Sequence, residues 1–161
     1  MGDQPDLVAG EEEVAASDEL LWRQVTKSLW DEKNDKPGST AFSPSTADHG
    51  MPSFARESAV DAQAAQDWHQ RNARSASFGV WAVSVNEVGT SQLRAVDDSG
   101  VPLTSEEKRA PGHTYIDYRS LGKTSEREIR AALLKLALAR GKVETEAIAF
   151  VPLDEREDKA S

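Results

Sequence analysis

The stretch Phe78–Val85, FGVWAVSV, constrains this chain more than any other segment. Its apolar and β-branched side chains fall on both faces under a period of two, which suits a central strand covered on each side rather than an edge strand. A sheet covered in that way needs a second layer, and the chain supplies helical segments for it. Ser125 and Glu128 have capping-box spacing, Ile129, Ala132, Leu133 and Leu136 follow as a buried stripe, and Gly141 stands at C′. Leu134 and Leu138 widen the apolar surface of that helix beyond one face, which marks packing on two sides or use in association. An earlier helix is expected over 59–71, with Ser58 as N-cap, Asp61 near the positive end of the helix dipole, and Val60, Ala64 and Trp68 recurring every fourth residue.

The remaining strands are read from alternation and turn signals. Leu20–Thr26 places Leu21, Arg23 and Val25 on one face and Leu20, Trp22 and Gln24 on the other. Leu93–Val96 is closed by the turn cluster Asp97-Asp98-Ser99-Gly100, and His113–Tyr118 and Ala147–Val151 follow as short strands. Residues 31–52, rich in Ser, Asp, Gly and Pro, are expected to be mostly loop, with one short strand near Thr40–Ser43. The fold class is therefore α+β: a small mixed or mainly antiparallel sheet of four to six short strands with two helices, in a single domain over 20–153.

Charge sits at the ends. Lys and Arg number 19 and Asp and Glu 28 in 161 residues, a net charge of -9. Residues 1–19 carry seven acids and no base, residues 154–161 carry four acids and two bases, and the stretch between is neutral. Residues 1–19 have few large apolar groups with which to offset ordering entropy, so a disordered acidic arm is expected, with a charged tail at 154–161. A neutral middle and acidic ends exclude the basic patch of direct nucleic-acid binding. The absence of cysteine excludes disulfides, zinc–thiolate sites and thiol catalysis. No run reaches the ~18 apolar residues of a membrane span, and the acidic start lacks the features of a signal peptide, so a soluble cytoplasmic protein without membrane attachment is expected.

The segments around Arg23-Gln24, Ser39-Ala41-Phe42-Pro44 and His113-Ile116-Asp117 resemble those of a small family of uncharacterised bacterial domains, with Leu-x-Arg-Gln, Ser-x-Ala-Phe-x-Pro and His-x-x-Ile-Asp patterns. The resemblance covers roughly residues 21–141. The chain departs from the pattern at Lys27, where a proline usually stands, and in the longer DEKNDK loop after Trp30. No activity accompanies the resemblance; it implies a fold outline and a set of polar positions.

Arg23 stands out because it interrupts an apolar strand, and an unpaired buried guanidinium is costly. The expectation is a structural ion pair with Asp117 or Glu87, or plain exposure on the polar face; the competing reading is an anion or nucleotide clamp. His113, Tyr115 and Asp117 share one strand face, but at ~3.3 Å per residue His113 and Asp117 lie about 13 Å apart and cannot form a direct dyad. They could line one pocket from two ends, with His113 as acid or base and Asp117 orienting Arg23, but the solvent face of an outer strand is the favoured expectation. Arg23, Ser39 with Thr40, and Glu87 are also, in chain order, the residue types of the Arg, Ser and Glu site of ADP-ribosyltransferases. The spacing is short for that architecture, and Val85 stands where a Glu or Gln would partner Glu87. Isolated histidines at 49, 69 and 113 give no metal-ligand spacing, no Gly-rich phosphate loop is present, and no motif calls for a cofactor.

The leading expectation is a non-enzymatic interaction module of a bacterial multi-protein system. It would bind a protein partner through Trp30, Phe42, Phe54 and the Leu134/Leu138 edge, since aromatics in Pro/Ser-rich loops are anchors or hot spots. The alternative is a small-ligand or nucleotide-binding enzyme, ADP-ribosyltransferase-like, using Arg23, His113 and Asp117 on a small anionic ligand. A cavity containing those three side chains would favour the second; exposed aromatics over a filled sheet would favour the first.

Overall fold

Alternation along residues 20–26 decides the layering of the molecule, because both faces of that strand are buried. The computed structural model describes residues 3–104 and 108–156. The order is β1 (Glu12–Glu13), β2 (Leu20–Thr26), β3 (Trp30–Asp31), β4 (Lys36–Pro37), β5 (Ser53–Arg56), α1 (Ala62–Asn72), β6 (Ser77–Ser84), α2 (Val85–Thr90), β7 (Ala95–Asp97), β8 (His113–Ile116) and α3 (Lys123–Arg140). Six strands form one antiparallel sheet in the order β1-β7-β8-β5-β2-β6, and β3 pairs with β4 as a separate ribbon. The α+β class stands, with a third, short helix in α2.

Leu21 and Val25 of β2 join Trp81, Val83, Ile116 and Leu133 in the core beneath α3. Trp22 joins Ala55, Val80 and Ala82 beneath α1, where its indole N–H donates to the Val60 carbonyl at 2.9 Å. The strand β6 is covered on both faces as its composition predicts, yet it lies at the end of the sheet rather than in its centre. Two helices supply the cover, and the outer edge is closed by a backbone bridge between Val80 and Val143. Continuous burial therefore reports layers, not position in the strand order.

Other elements shift for local reasons. β5, in the middle of the sheet, was not expected: four residues (SFAR) between a proline and charged positions carry no periodic signal. Residues 40–43 turn instead of forming a strand, and 147–151 make no strand, although the Val151 N–H donates to Gln70 of α1. α1 is capped by Asp61, whose carboxylate accepts from the Ala64 N–H at 2.7 Å, and buries Ala62, Ala65, Gln66 and Gln70; of the Val60/Ala64/Trp68 row only Val60, which precedes the helix, is buried. In α3 the buried row is Leu133 and Ala137 with Ile129 packed beside it, while Ala132 and Leu136 face outward. Its N-cap is Gly122, not Ser125.

The acidic segment is not a separate arm over its described length. β1 pairs with β7, Val14 is buried, and the Val14 N–H donates to Ala95. Gly10, at φ +94°, lies so close to the turn after β7 that a Cβ would stand 2.4 Å from the Gly100 oxygen. Few apolar groups are needed for this docking, because the segment completes a sheet edge through its backbone. At the other end, Arg156 donates to the carbonyls of Val151 and Asn72; the rest of the expected charged tail, 157–161, lies outside the described residues. No helix among the described residues is long and apolar enough to cross a membrane.

Candidate functional site

The pairing of β2 with β5 runs through Leu21–Arg56 and Trp22–Ala55. At the next position Arg23 reaches across, its Nε donating to the Ala41 carbonyl and its Nη1 to the Ser53 carbonyl, both at 2.8 Å. The guanidinium stacks over Phe54 at 5.2 Å, and the residue is 8% exposed. A side chain thus takes the place of ladder hydrogen bonds, and the sheet opens into a cavity of about 550 Å³ beneath α1. That volume lies within the ~300–1,000 Å³ range of small-molecule sites.

The expected ion pair of Arg23 is not there. Asp117 is bound by Arg94 and Arg119, and Glu87 by Arg140 at 2.9 Å. No carboxylate among the described residues pairs with Arg23. Burial pushes its pKa down, opposed by the more distant charge of Asp48 and by Tyr118, though a guanidinium stays protonated. The protein therefore holds a buried cation, satisfied by two carbonyls but not neutralised, on the wall of a cavity.

His113 lies across the same cavity. Gly112, at φ +68°, turns the chain into β8 and packs so closely on Ala59 and Val60 that a Cβ would meet both at 3.1 Å. The His113 ring then bridges two side chains: Nδ1 is 2.7 Å from Asp98 Oδ1 and Nε2 is 3.0 Å from Ser53 Oγ. A carboxylate only accepts, so Nδ1 carries the proton. In the neutral ring Nε2 is then an acceptor, and the Ser53 hydroxyl donates to it. Asp98 is held by its turn and by Arg109, which donates to the Ser99 and Val101 carbonyls and places its Nε 4.0 Å from Asp98.

From α1, Trp68 and His69 complete the wall, and Trp22, Ala65 and Leu103 make part of it apolar. The pKa of His69 is lowered, first by burial and further by the Arg23 charge, against the opposing effect of its hydrogen bond to the Ser75 carbonyl. In neutral form its Nε2 donates to that carbonyl.

The structure brings Arg23 and His113 together and separates them from the other expected site residues. Asp117, with no exposure, does not orient Arg23. Its burial acts to raise its pKa, but hydrogen bonds from Arg119 and Arg94 outweigh this and hold the carboxyl below its ordinary range. Tyr115 is buried, its hydroxyl donating to Glu11 at 2.6 Å; burial and that acid raise its pKa. Ser39 lines a different, shallow groove with Leu134 and Leu138 beside α3, and Glu87 caps α2 by accepting from the Ser84 N–H. The Arg, Ser and Glu of the ADP-ribosyltransferase pattern therefore do not meet.

Of the expected partner contacts, Phe42 is fully buried and Phe54 is 3% exposed, stacked 5.9 Å apart in the core. Trp30 packs on Phe78 and Trp81. Leu134 and Leu138 are partly buried against the core. Ser53 and Asp98 carry no functional signal in the sequence, and His69 enters there only as an isolated histidine without metal-ligand spacing. Asp98 lay in a recognised turn and Ser53 beside a proline, but nothing linear joins them to His113. Among the described residues no group of three or more His, Asp or Glu is placed to hold a metal ion. Comparison with protein-family models, curated proteins and solved structures finds no match for this chain.

Proposed function

We propose that the cavity between α1 and the opened sheet binds a small organic anion. The observation that carries this reading is Arg23: a buried guanidinium without an acid partner, in a residue that lines a cavity of ligand size. A cation kept in that state gains more from an entering anion than a paired or solvated one, because the cost of its desolvation is already met by the fold. The apolar part of the wall, with Trp22, Trp68 and Leu103, favours an anion with an aromatic or aliphatic body. The partner-binding reading loses two of its three aromatic anchors to the core and retains the shallow Leu134/Leu138 groove as its surface.

Phenyl phosphate is the direct probe. It should raise the melting temperature in a saturable manner and more strongly than inorganic phosphate, and Arg23→Met should abolish the response. An unchanged response in Arg23→Met, or none in the native protein, overturns the reading.

A further inference from the structure

We propose that Ser53, His113 and Asp98 form an acyl-transfer relay that hydrolyses small carboxylic esters, with Ser53 as nucleophile, His113 as general base and acid, and Asp98 as the positioning residue. The inference rests on the anion-binding reading and deepens it, because it assigns to the same cavity a carboxylic ester whose carboxylate product is a small organic anion.

Three observations carry it. The hydrogen bonds run Asp98–His113–Ser53 at 2.7 and 3.0 Å, the order and lengths that a nucleophile, its base and the group orienting that base require. All three residues line the same cavity as Arg23, and Ser53 is exposed to it. Arg23 is tied to the nucleophile's own residue, its Nη1 donating to the Ser53 carbonyl at 2.8 Å, which fixes the backbone that carries the nucleophile. The parts come from rigid elements: Ser53 opens β5, His113 opens β8, and Asp98 is clamped in its turn by Arg109.

The chemistry balances without a further reactant other than water. Ser53 Oγ bonds to the ester carbonyl carbon while its proton passes to His113 Nε2, and the carbonyl π pair moves to the oxygen. Collapse of that tetrahedral species breaks the carbon–oxygen bond to the alcohol, which leaves with the proton from His113. Water then attacks the acyl-serine, gives a proton to His113, and releases the carboxylic acid as Ser53 Oγ takes the proton back. Asp98 stays a carboxylate throughout, holding the ring in the tautomer that accepts at Nε2. The aromatic wall suits an aryl or short alkyl ester over a polymeric one.

The experiment has two arms on the full chain. In the first, a fluorophosphonate is incubated with the protein and the adduct located by peptide mass spectrometry, with phenyl acetate hydrolysis followed in parallel. Labelling at Ser53, lost in Ser53→Ala, is expected, and His113→Gln and Asp98→Asn should slow both reactions by about 10²- to 10⁴-fold. Asp98→Asn should also move the acid limb of the pH–rate profile to lower pH, since the amide no longer supplies the negative charge that favours the protonated ring; a merely loosened turn that keeps the carboxylate beside the ring does not do this. In the second arm, phenyl phosphate binding is measured on the native protein, where it is expected, and on Arg23→Met, which should lose it. No labelling of Ser53, labelling at another serine, or an Asp98→Asn profile shifted nowhere overturns the relay. If phenyl phosphate still binds in that case, the anion site stands without it; if phenyl phosphate fails while Ser53 is labelled, the anion reading falls and the nucleophile remains.

Discussion

Arg23 and Asp117 are both buried in one sheet, and the protein treats them in opposite ways. Asp117, just beyond β8, receives the guanidinium of Arg94 at 3.0 Å and that of Arg119 at 2.8 Å, along with the Arg119 N–H. Arg119 in turn lies over the Tyr115 ring, and Tyr115 donates to Glu11. Every charge in that knot has a counter-charge, and it fastens the N-terminal segment to the sheet. Arg23 has two carbonyls, an aromatic ring and a cavity. The comparison shows that this chain can pair buried charges closely where they serve cohesion, so the unpaired state of Arg23 is a feature of the cavity rather than a general looseness of its electrostatics.

The largest test of that contrast removes the buried acid. Asp117→Ala leaves Arg94 and Arg119 without their carboxylate and the Arg119 N–H without an acceptor, and should cost about 3–5 kcal/mol in chemical denaturation. A loss below about 1 kcal/mol breaks the comparison at its closed end.

Removing the buried cation should cost far less. Arg23→Met leaves the Ala41 and Ser53 carbonyls without a donor, but it also removes a desolvated charge, and the net change should stay within about 1.5 kcal/mol. The Arg23→Met, Asp117→Asn double change should be additive to within about 0.5 kcal/mol, because the two groups share no partner. Recovery of stability in the double mutant would restore the ion pair expected from the sequence and remove the argument for the cavity.

A third prediction concerns acid stability. Arg56 hydrogen-bonds Glu19 and holds its pKa at about 2, below the ordinary 4.5, against the opposing effect of burial; Arg56 also pairs with Asp97 at 2.9 Å. Because the folded pKa is depressed, this contribution is complete above pH 4.5 and is lost as pH falls through about 2. Glu19→Gln should flatten the stability profile in that window, measured by denaturant midpoints from pH 5 to 2.

The smallest effect belongs to His69. Its pKa lies below the ordinary 6.5, so its contribution is present above that pH and declines as the solution is acidified through the folded value. Since the Arg23 charge is one cause, phenyl phosphate should raise the His69 titration midpoint, read from its imidazole proton resonances. An unmoved midpoint with the ligand bound would place the anion away from Arg23.

Much of the framework is legible in linear terms because it depends on short-range periodicity. Two-fold alternation reports that β6 is buried on both faces and which residues of β2 share a face, and Gly141 at φ +94° ends α3 as expected. The phase of the helices is less legible: in α3 the rows beginning at Ile129 and Ala132 compete on composition, and contact with β6 selects Leu133 and Ala137. β5 leaves almost no trace, since four residues in the middle of a sheet gain their stability from neighbours on both sides rather than from their own propensity.

The sequence by itself determined the α+β class, the strand Leu20–Thr26 with Arg23 on its Leu21 and Val25 face, and the position of His113 at the head of a strand. Tertiary structure alone decided who meets whom. It gave Asp117 to Arg94 and Arg119, left Arg23 without an acid, and set Asp98 and Ser53 on either side of His113, 15 and 60 residues away along the chain. The reason is physical: periodicity is a property of neighbouring residues, whereas charge pairing and hydrogen-bond relays depend on strand order, and in an antiparallel sheet that order is fixed by the packing of the layers.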